Sequence, residues 1–524
     1  MREPHNLADL VRRAAATRPA RAALIWQDRA LTWSDLDAKV DAVARGLVRL
    51  ALGSTDGGAP ARVAIALPSV PEFAEAYFGV LRAGLVAVPV NPGYTTRELR
   101  HVLRDSGASV LLGTPEVVDA LAPVAADLPA LAHRYTLGAS PSSDARRWSE
   151  LYASGEDQVD ASTGGEDLAV LLYTSGTEGD PKGAMLTHRA LIANHVQLAA
   201  IEPTPFTGDD VMLLALPLFH AYGLNSGLGA VAYHGATGVL VERFDPADTA
   251  DLIGRHQVTA VIGVPPMVVA WSLLPDPGDR FGSVRMVVSG AAPLDPDASR
   301  RFLDATSHHV FEGYGLTETA PVLTSTLASP VPKAGSIGRP IPDVELRLVN
   351  AAGEDIGLDE EDLDDLAQGS PGTDPGEIVV RGPNLFSGYW PDGRGGPDAD
   401  GWWATGDVAY ADADGDLFLV DRIGELILVN GFNVYPNEVE KVLTSHPAVA
   451  EAAAVGVPHP YTGQTVKAYV VTVGDVTTED LLGYCERNLA RYKCPTAIEF
   501  VPKLPHSPIG KVRKTVLRGG PGDE

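Results

Sequence analysis

The sequence predicts an α/β protein in which a large N-terminal domain of parallel α/β layers carries a β-rich subdomain and is followed by a small α+β C-terminal domain. Three observations predict it. Strand-like apolar runs alternate with helical patterns through the first two thirds of the chain. From about residue 344 the texture changes to shorter strands and turns. Finally, 524 residues exceed the roughly 250 that one hydrophobic core usually organises.

A helix starting at Ser34 places Leu36, Val40, Val43, Leu47 and Leu50 on one face. Residues 62–67 then read as a strand, 71–84 as a helix, 85–90 as a strand, 95–107 as a helix and 108–113 as a strand. Thr95 and Glu98 stand at capping-box spacing at the start of the second of these helices. An apolar strand follows at 168–172. In the β-rich part a hairpin spans 408–419 and turns at Asp414-Gly415, and the acidic, Gly/Pro-containing stretch 355–376 reads as a surface loop. Asp412, Asp414 and Asp416 lack the rest of a calcium loop and are read as hairpin turn. After Asp421-Arg422 come strand, helix, strand, strand and helix to about Lys493, which sets expected domains at 1–421 and 422–524.

Composition narrows the function. Forty-one Lys and Arg against 68 Asp and Glu give a formal charge of -27, which repels nucleic acid and anionic membranes. A polyanionic substrate must therefore be met by local donors and a metal ion. Cys485 and Cys494 are too few for a disulfide framework and wrongly spaced for zinc, so a reducing cytoplasm is expected. The first ten residues lack the basic-then-apolar order of a signal peptide. The uncharged run 211–241 holds five glycines with Pro217, His220, Asn225 and His234, which suits a folded interior and predicts no transmembrane helix.

The most informative segment is Tyr173-Thr-Ser-Gly-Thr-Glu-Gly-Asp-Pro-Lys-Gly183, directly after the 168–172 strand. Thr174, Ser175, Gly176 and Thr177 offer hydroxyls and backbone N–H groups to phosphate oxygens, and Lys182 adds a point charge. It is not the common P-loop, because no Gly-Lys is followed by Ser or Thr.

This segment resembles the phosphate-loop signature of the AMP-forming acyl/aryl-CoA synthetase, adenylation-domain and luciferase superfamily, and four further signatures follow in that family's order. Gly313-Tyr-Gly-Leu-Thr-Glu-Thr319 resembles the nucleotide and magnesium motif, and Trp403-Ala-Thr-Gly-Asp407 the ribose motif. Asp421-Arg422 with Asn430-Gly-Phe-Asn-Val-Tyr-Pro436 resembles the interdomain motif, and Pro505-His-Ser-Pro-Ile-Gly-Lys511 the C-terminal lysine motif. Ser289-Gly-Ala-Ala-Pro293 resembles the loop against the adenine face, with Gly290, Ala291 and Ala292 leaving room for a flat base.

The resemblance implies ATP, Mg²⁺ and CoA as partners of a small carboxylic acid, with acyl-AMP as intermediate. Tyr314 offers a ring to the base, Thr317 a hydroxyl to the α-phosphate, and Glu318 with Thr174 oxygen ligands to Mg²⁺. Asp407 and Arg422 meet the ribose. Lys511 stabilises charge developing at the α-phosphorus, and Gly431 and Phe432 line the thiol tunnel after the C-terminal domain rotates. His220 is expected as a gate or wall of the acyl pocket, and need not act as a base because a carboxylic acid of pKa about 4 is already ionised.

Two positions depart from the family pattern: Glu178 in the phosphate loop, where a small hydroxylated residue is usual, and Gly424 at the hinge. The regions matching the family's acyl pocket, 211–241 and 258–274, contain no Arg, Lys, Asp or Glu, so the acid is expected to be uncharged beyond its carboxylate. A medium- or long-chain fatty acid leads; an aryl acid of phenylpropenoate type is the alternative, and Tyr222, Asn225 and Trp271 would serve either. An acyl-AMP ligase that loads a carrier protein is the other alternative, favoured if the insertion at 355–376 restricts rotation. A monomer or homodimer is expected.

Overall fold

The computed structural model describes residues 5–52, 60–138, 145–155, 158–161, 163–174, 181–350, 352–358, 363, 372–422, 425, 427–429, 432–459, 463–506 and 512–518, with the backbone alone given for Arg422, Leu428, Phe432, Asn433 and Thr515. Glu178 and Gly424 lie outside these residues.

Two parallel-centred sheets form the large lobe. In the seven-stranded sheet the order is Arg146–Arg147, His133–Thr136, Val110–Gly113, Arg62–Ala66, Val86–Pro89, Leu168–Thr174 and Lys182–Thr187. Its pairs are parallel except the last, an antiparallel hairpin in which Thr174 stands opposite Lys182. The nine-stranded sheet is parallel from Ala22–Trp26 through Thr237–Leu240, Val211–Leu214, Ala260–Gly263 and Met286–Ser289 to Val310–Tyr314, with antiparallel strands at both edges. Burial on both faces explains why Arg62–Ala66, Val86–Pro89 and Val110–Gly113 are buried throughout and read as continuous apolar runs.

Local chemistry sets the helix ends. Thr95 accepts from the Glu98 N–H while Glu98 accepts from Thr95, the capping box that the spacing predicts, and Thr96–Ser106 ends at Gly107 in the left-handed region. The first long helix starts one residue before the expected Ser34. It runs Trp33–Arg49 because Thr32 caps it and pairs reciprocally with Asp35.

The β-rich subdomain is a five-stranded antiparallel sheet, Asp355–Ile356, Glu345–Val349, Gly376–Arg381, Trp403–Ala411 and Leu417–Arg422. Its last pair is the predicted hairpin. At that turn Lys333 Nζ lies 2.6, 2.6 and 3.3 Å from carboxylate oxygens of Asp412, Asp414 and Asp416, so an ammonium holds the aspartates together. Most of 359–371 lies outside the described residues, including most of the expected surface loop.

The C-terminal lobe has a five-stranded sheet containing Ile427–Val429, Phe432–Val434, Val449–His459, Gly463–Thr472 and Ala497–Phe500. The sequence predicts one strand before the helix Pro436–Thr444; the structure has two, a short hairpin of three-residue arms. Strand periodicity sends Ala454 to one apolar cluster and Ala453 and Val455 to another, so both faces of this sheet are covered. Among the described residues no helix is long and apolar enough to cross a membrane.

Candidate active site

The Leu168–Thr174 and Lys182–Thr187 hairpin presents both flanks of the predicted phosphate loop; Ser175, Gly176 and Thr177 lie outside the described residues. The helix Thr96–Ser106 grips both flanks. Tyr173 donates its hydroxyl to Asp105 Oδ2 at 2.6 Å, and His101 Nε2 donates to the Pro181 carbonyl at 2.9 Å. Burial, and then the bond to Asp105, push the Tyr173 phenol well above its ordinary range.

Glu318 sits on the one-turn helix Thr317–Thr319, which follows the strand Val310–Tyr314. Thr319 holds that turn by donating to the Leu316 and Pro321 carbonyls and accepting from the Leu316 N–H. Glu318 is 6% exposed and accepts from the Tyr389 hydroxyl at 2.7 Å. The ring of Tyr389 lies 5.4 Å from Lys182 Nζ, so one tyrosine touches both the phosphate hairpin and the candidate magnesium carboxylate. Among the described residues no group of three or more His, Cys, Asp and Glu gathers into a metal cage. A lone carboxylate with the Thr174 oxygen still fits Mg²⁺, which binds through one or two carboxylates and takes its other ligands from phosphate and water.

The base and ribose motifs meet directly. Tyr314 donates to Asp407 Oδ2 at 2.6 Å, across 93 residues of sequence. Asp407 is buried on Trp403–Ala411 and stands opposite Arg422 in the hairpin register. Thr405 orients this strand by donating to the Ile378 carbonyl and accepting from the Asp407 N–H.

The adenine-face loop follows Met286–Ser289. A Cβ on Gly290 would lie 3.1 Å from the Tyr222 hydroxyl and 3.2 Å from the Gly313 carbonyl, so glycine is what lets the loop close on both. Ala291 holds φ +68°, a left-handed conformation that a non-glycine residue rarely adopts, and Ala292 follows it half-buried.

His220 and Tyr222 stand at the start of a π-helix, Tyr222–Gly229, a form often found at functional sites. Burial lowers His220 to about 4, so the ring is neutral near pH 7. Its Nε2 and the hydroxyls of Tyr222, Ser226 and Ser289 are buried with no hydrogen-bond partner among the described residues.

Two expectations for the acyl pocket are corrected here. Asn225 donates to the Leu191 and Ala320 carbonyls and pairs with His195 Nε2, so its amide is already engaged. Trp271 is fully buried, donates to Thr249 Oγ1 at 3.0 Å and packs edge-on against Phe244 and Phe281, which makes it part of the core.

Lys511 and Gly431 lie outside the described residues, and Phe432 is placed only by its backbone, in Phe432–Val434. Sequence reasoning missed Tyr389, His101 and Asp105. The aromatic pair Tyr389-Trp390, between Gly388 and Pro391, was the available signal, since Trp390 also donates to the Asp105 carbonyl and lies under the Arg62 guanidinium.

Layered parallel sheets, a phosphate hairpin and a small α+β lobe define an adenylate-forming enzyme. The chain belongs to the AMP-binding enzyme family, whose model matches residues 11–390, while the AMP-binding enzyme C-terminal domain matches 438–511. It is 35% identical over 550 residues to a long-chain-fatty-acid–CoA ligase of Escherichia coli O157:H7, covering 98% of this chain and 94% of that one. It is 37% identical over 518 residues to a feruloyl-CoA synthase of Amycolatopsis sp, covering 97% of each. Among solved structures it resembles ATP-bound MatB from Rhodopseudomonas palustris, with a TM-score of 0.86, 31% identity and 98% of each chain covered. The protein is an AMP-forming acid–thiol ligase that takes a small carboxylic acid, ATP and CoA, with Mg²⁺.

Proposed function

We propose that the acid is uncharged beyond its carboxylate and that the residues named from the sequence carry out its activation. The observation that carries this reading is the absence of Arg, Lys, Asp and Glu from 211–241 and 258–274. A dicarboxylate or amino acid would bury an unpaired charge there. A fatty acid of medium or long chain fits such a wall, and the similarity to a long-chain-fatty-acid–CoA ligase supports it. A second reading, an aryl acid with a hydrogen-bonding substituent, is favoured by the unpartnered hydroxyls of Tyr222 and Ser226. A fully apolar chain beside them would leave each buried and unsatisfied, at about 1–3 kcal/mol apiece. The similarity to a feruloyl-CoA synthase supports this one.

In the first half-reaction the acid's carboxylate attacks the α-phosphorus and pyrophosphate leaves. Thr174, Ser175, Gly176, Thr177 and Lys182 hold the phosphates, and Thr317 orients the α-phosphate. Lys511 neutralises charge that develops there. Glu318 and Thr174 would hold Mg²⁺, which supplies charge neutralisation to the triphosphate. Gly290, Ala291, Ala292, Gly313 and Tyr314 enclose the base, and Asp407 with Arg422 grips the ribose. In the second half-reaction the CoA thiol attacks the acyl carbon and AMP leaves, with Gly431 and Phe432 along the thiol's path. His220, neutral and wedged against Phe219 at a centroid distance of 4.9 Å, walls the acyl group from the nucleotide.

The division at 421/422 makes the second unit the moving one, and the cytoplasm is its expected location, as two cysteines without a framework suggest.

The test is CoA-thioester formation from fatty, aryl and amino acids with Mg-ATP, following AMP and pyrophosphate together. Thioester from a fatty or aryl acid decides between the two readings. Turnover of an amino acid or dicarboxylate in preference to both would overturn the uncharged pocket, and acyl-AMP retained without CoA product would point to carrier loading.

A further inference from the structure

The described residues that flank 507–511 in the chain make contacts that the site described above does not use. His506 and Val512 form an antiparallel bridge around residues 507–511, and the Arg513 N–H donates to the Pro505 carbonyl at 2.7 Å. Val512 and Leu517 pack against Ala453, Val455, Tyr469 and Leu504, and Tyr469 donates its hydroxyl to the Leu517 carbonyl at 2.8 Å.

Lys514 is the charged centre of this arrangement. Its Nζ lies 2.9 Å from Glu425 Oε2 and 2.9 Å from Glu440 Oε1, with side-chain exposures of only 10%, 16% and 16%. Glu440 Oε1 is fixed in turn by the Ala454 N–H at 2.7 Å. Burial pulls the ammonium down, but Glu440, Glu425 and Asp421 together outweigh it and keep Lys514 charged. These carboxylates come from three places: the end of the strand Leu417–Arg422, the connection after it, and the helix Pro436–Thr444. Asp421 Oδ2 also accepts from the Asn437 N–H at 2.9 Å, at the first turn of that helix. The charge of the neighbouring Arg513 works against the upward push that burial gives the Tyr94 phenol of the large lobe.

A buried ion pair of this kind is weak evidence for stability, since desolvation offsets much of its attraction, whereas its fixed geometry specifies one arrangement. We propose that Lys514 is a positioning residue: by pairing with Glu425 and Glu440 it seats the tail so that Lys511 is aligned for adenylate formation. It rests on the reading of Lys511 as the cation of the first half-reaction. The second half-reaction needs no Lys511, so it does not need the clamp.

The test separates the half-reactions in the full-length enzyme, with whichever acid of the panel above supports ATP–pyrophosphate exchange. Lys514→Met is expected to lower the exchange kcat at least tenfold with little change in the KM for ATP. CoA attack on the isolated acyl-adenylate stays within about twofold, and Lys514→Arg restores exchange to within about threefold. Parallel loss of both half-reactions, or exchange within about twofold of wild type, would overturn the proposal. Lys511→Ala is the control: if it leaves exchange intact, the underlying reading of Lys511 fails instead, and a wild-type enzyme with no exchange on any acid overturns both. Should Lys514→Met fail to fold, the triple variant Lys514→Met/Glu425→Gln/Glu440→Gln leaves no paired charge stranded and reads the same split.

Discussion

Tyr389 donates its hydroxyl to Glu318 Oε1 at 2.7 Å while its ring lies 5.4 Å from Lys182 Nζ. Backbone bonds fix the tyrosine in place: its N–H donates to the Arg394 carbonyl, and it bridges to Ala184 in the second arm of the phosphate hairpin. One residue thus touches both the lysine proposed for phosphate and the carboxylate proposed for magnesium.

Tyr389→Phe keeps the ring over Lys182 and removes only the donor to Glu318. A hydrogen bond to a charged group contributes about 1.5–3 kcal/mol, so about a tenfold fall in ATP–pyrophosphate exchange is expected. Because the freed carboxylate must be re-oriented by the metal, half-maximal exchange should also need more Mg²⁺. Titrating magnesium against exchange rate measures both, and a variant that matches wild type in each would remove Tyr389 from the site.

Asp407 is shared between Tyr314 and the proposed ribose contact. Asp407→Asn should raise the KM for ATP by about tenfold, because a charged acceptor for hydroxyl donors is lost, while Tyr314→Phe, which leaves the carboxylate, should cost less. Comparing ATP with 2′-deoxy-ATP isolates the contact. Wild type should discriminate between them and Asp407→Asn should not. Equal discrimination by both enzymes would place the ribose elsewhere.

What the sequence made legible was local or carried by ordered motifs. The Thr95–Glu98 capping box, the 408–419 hairpin and the alternation of buried strands with helices each rest on neighbours a few residues apart. The Tyr314–Asp407 pair joined two motifs already singled out. Tyr389 was passed over because its partner Glu318 is 71 residues away, and an aromatic pair in the sequence does not show what it touches. Asn225 and Trp271 were misplaced for a different reason. An uncharged apolar run has the same composition whether it lines a pocket or fills a core, and only the observed bonds to Leu191, Ala320 and Thr249 decide between them. The second short strand before Pro436–Thr444 escaped because three-residue arms show no periodicity.

Gly290 is predicted to be a size gate. An added methyl would lie 3.1 Å from Cζ and Oη of Tyr222 and 3.2 Å from the Gly313 carbonyl; the ring can shift, but the backbone on the other side has little freedom. Gly290→Ala should therefore push Tyr222 toward the acyl side, raising the KM for the acid several-fold, with an overpacking cost of about 1–3 kcal/mol in stability. Steady-state kinetics with the acid varied at saturating ATP gives the answer, and an unchanged KM for the acid would show that the loop relaxes away from Tyr222.

Acid sensitivity follows from four histidines, of which His188 and His195 are buried and His220 and His234 half-buried. Burial lowers His188 to about 4, His195 to about 3, and His220 and His234 to about 4, all from 6.5. A histidine whose folded pKa is depressed binds fewer protons folded than unfolded between those values. Its full contribution is present above about pH 6.5 and is lost as pH falls toward 4, each unit of depression being worth about 1.4 kcal/mol. His195 is the informative one: it is 2% exposed, stacks on Tyr233 at 5.3 Å and bonds to Asn225 under the π-helix. His195→Gln keeps a donor for Asn225 without the ionisable ring. Its Tm should be slightly below wild type at about pH 7.5, where the lost stacking dominates, and should fall less than wild type on acidification to about pH 5. Calorimetric or fluorescence melts at both pH values test this; a parallel drop in the two proteins would mean that His195 takes no part in acid unfolding.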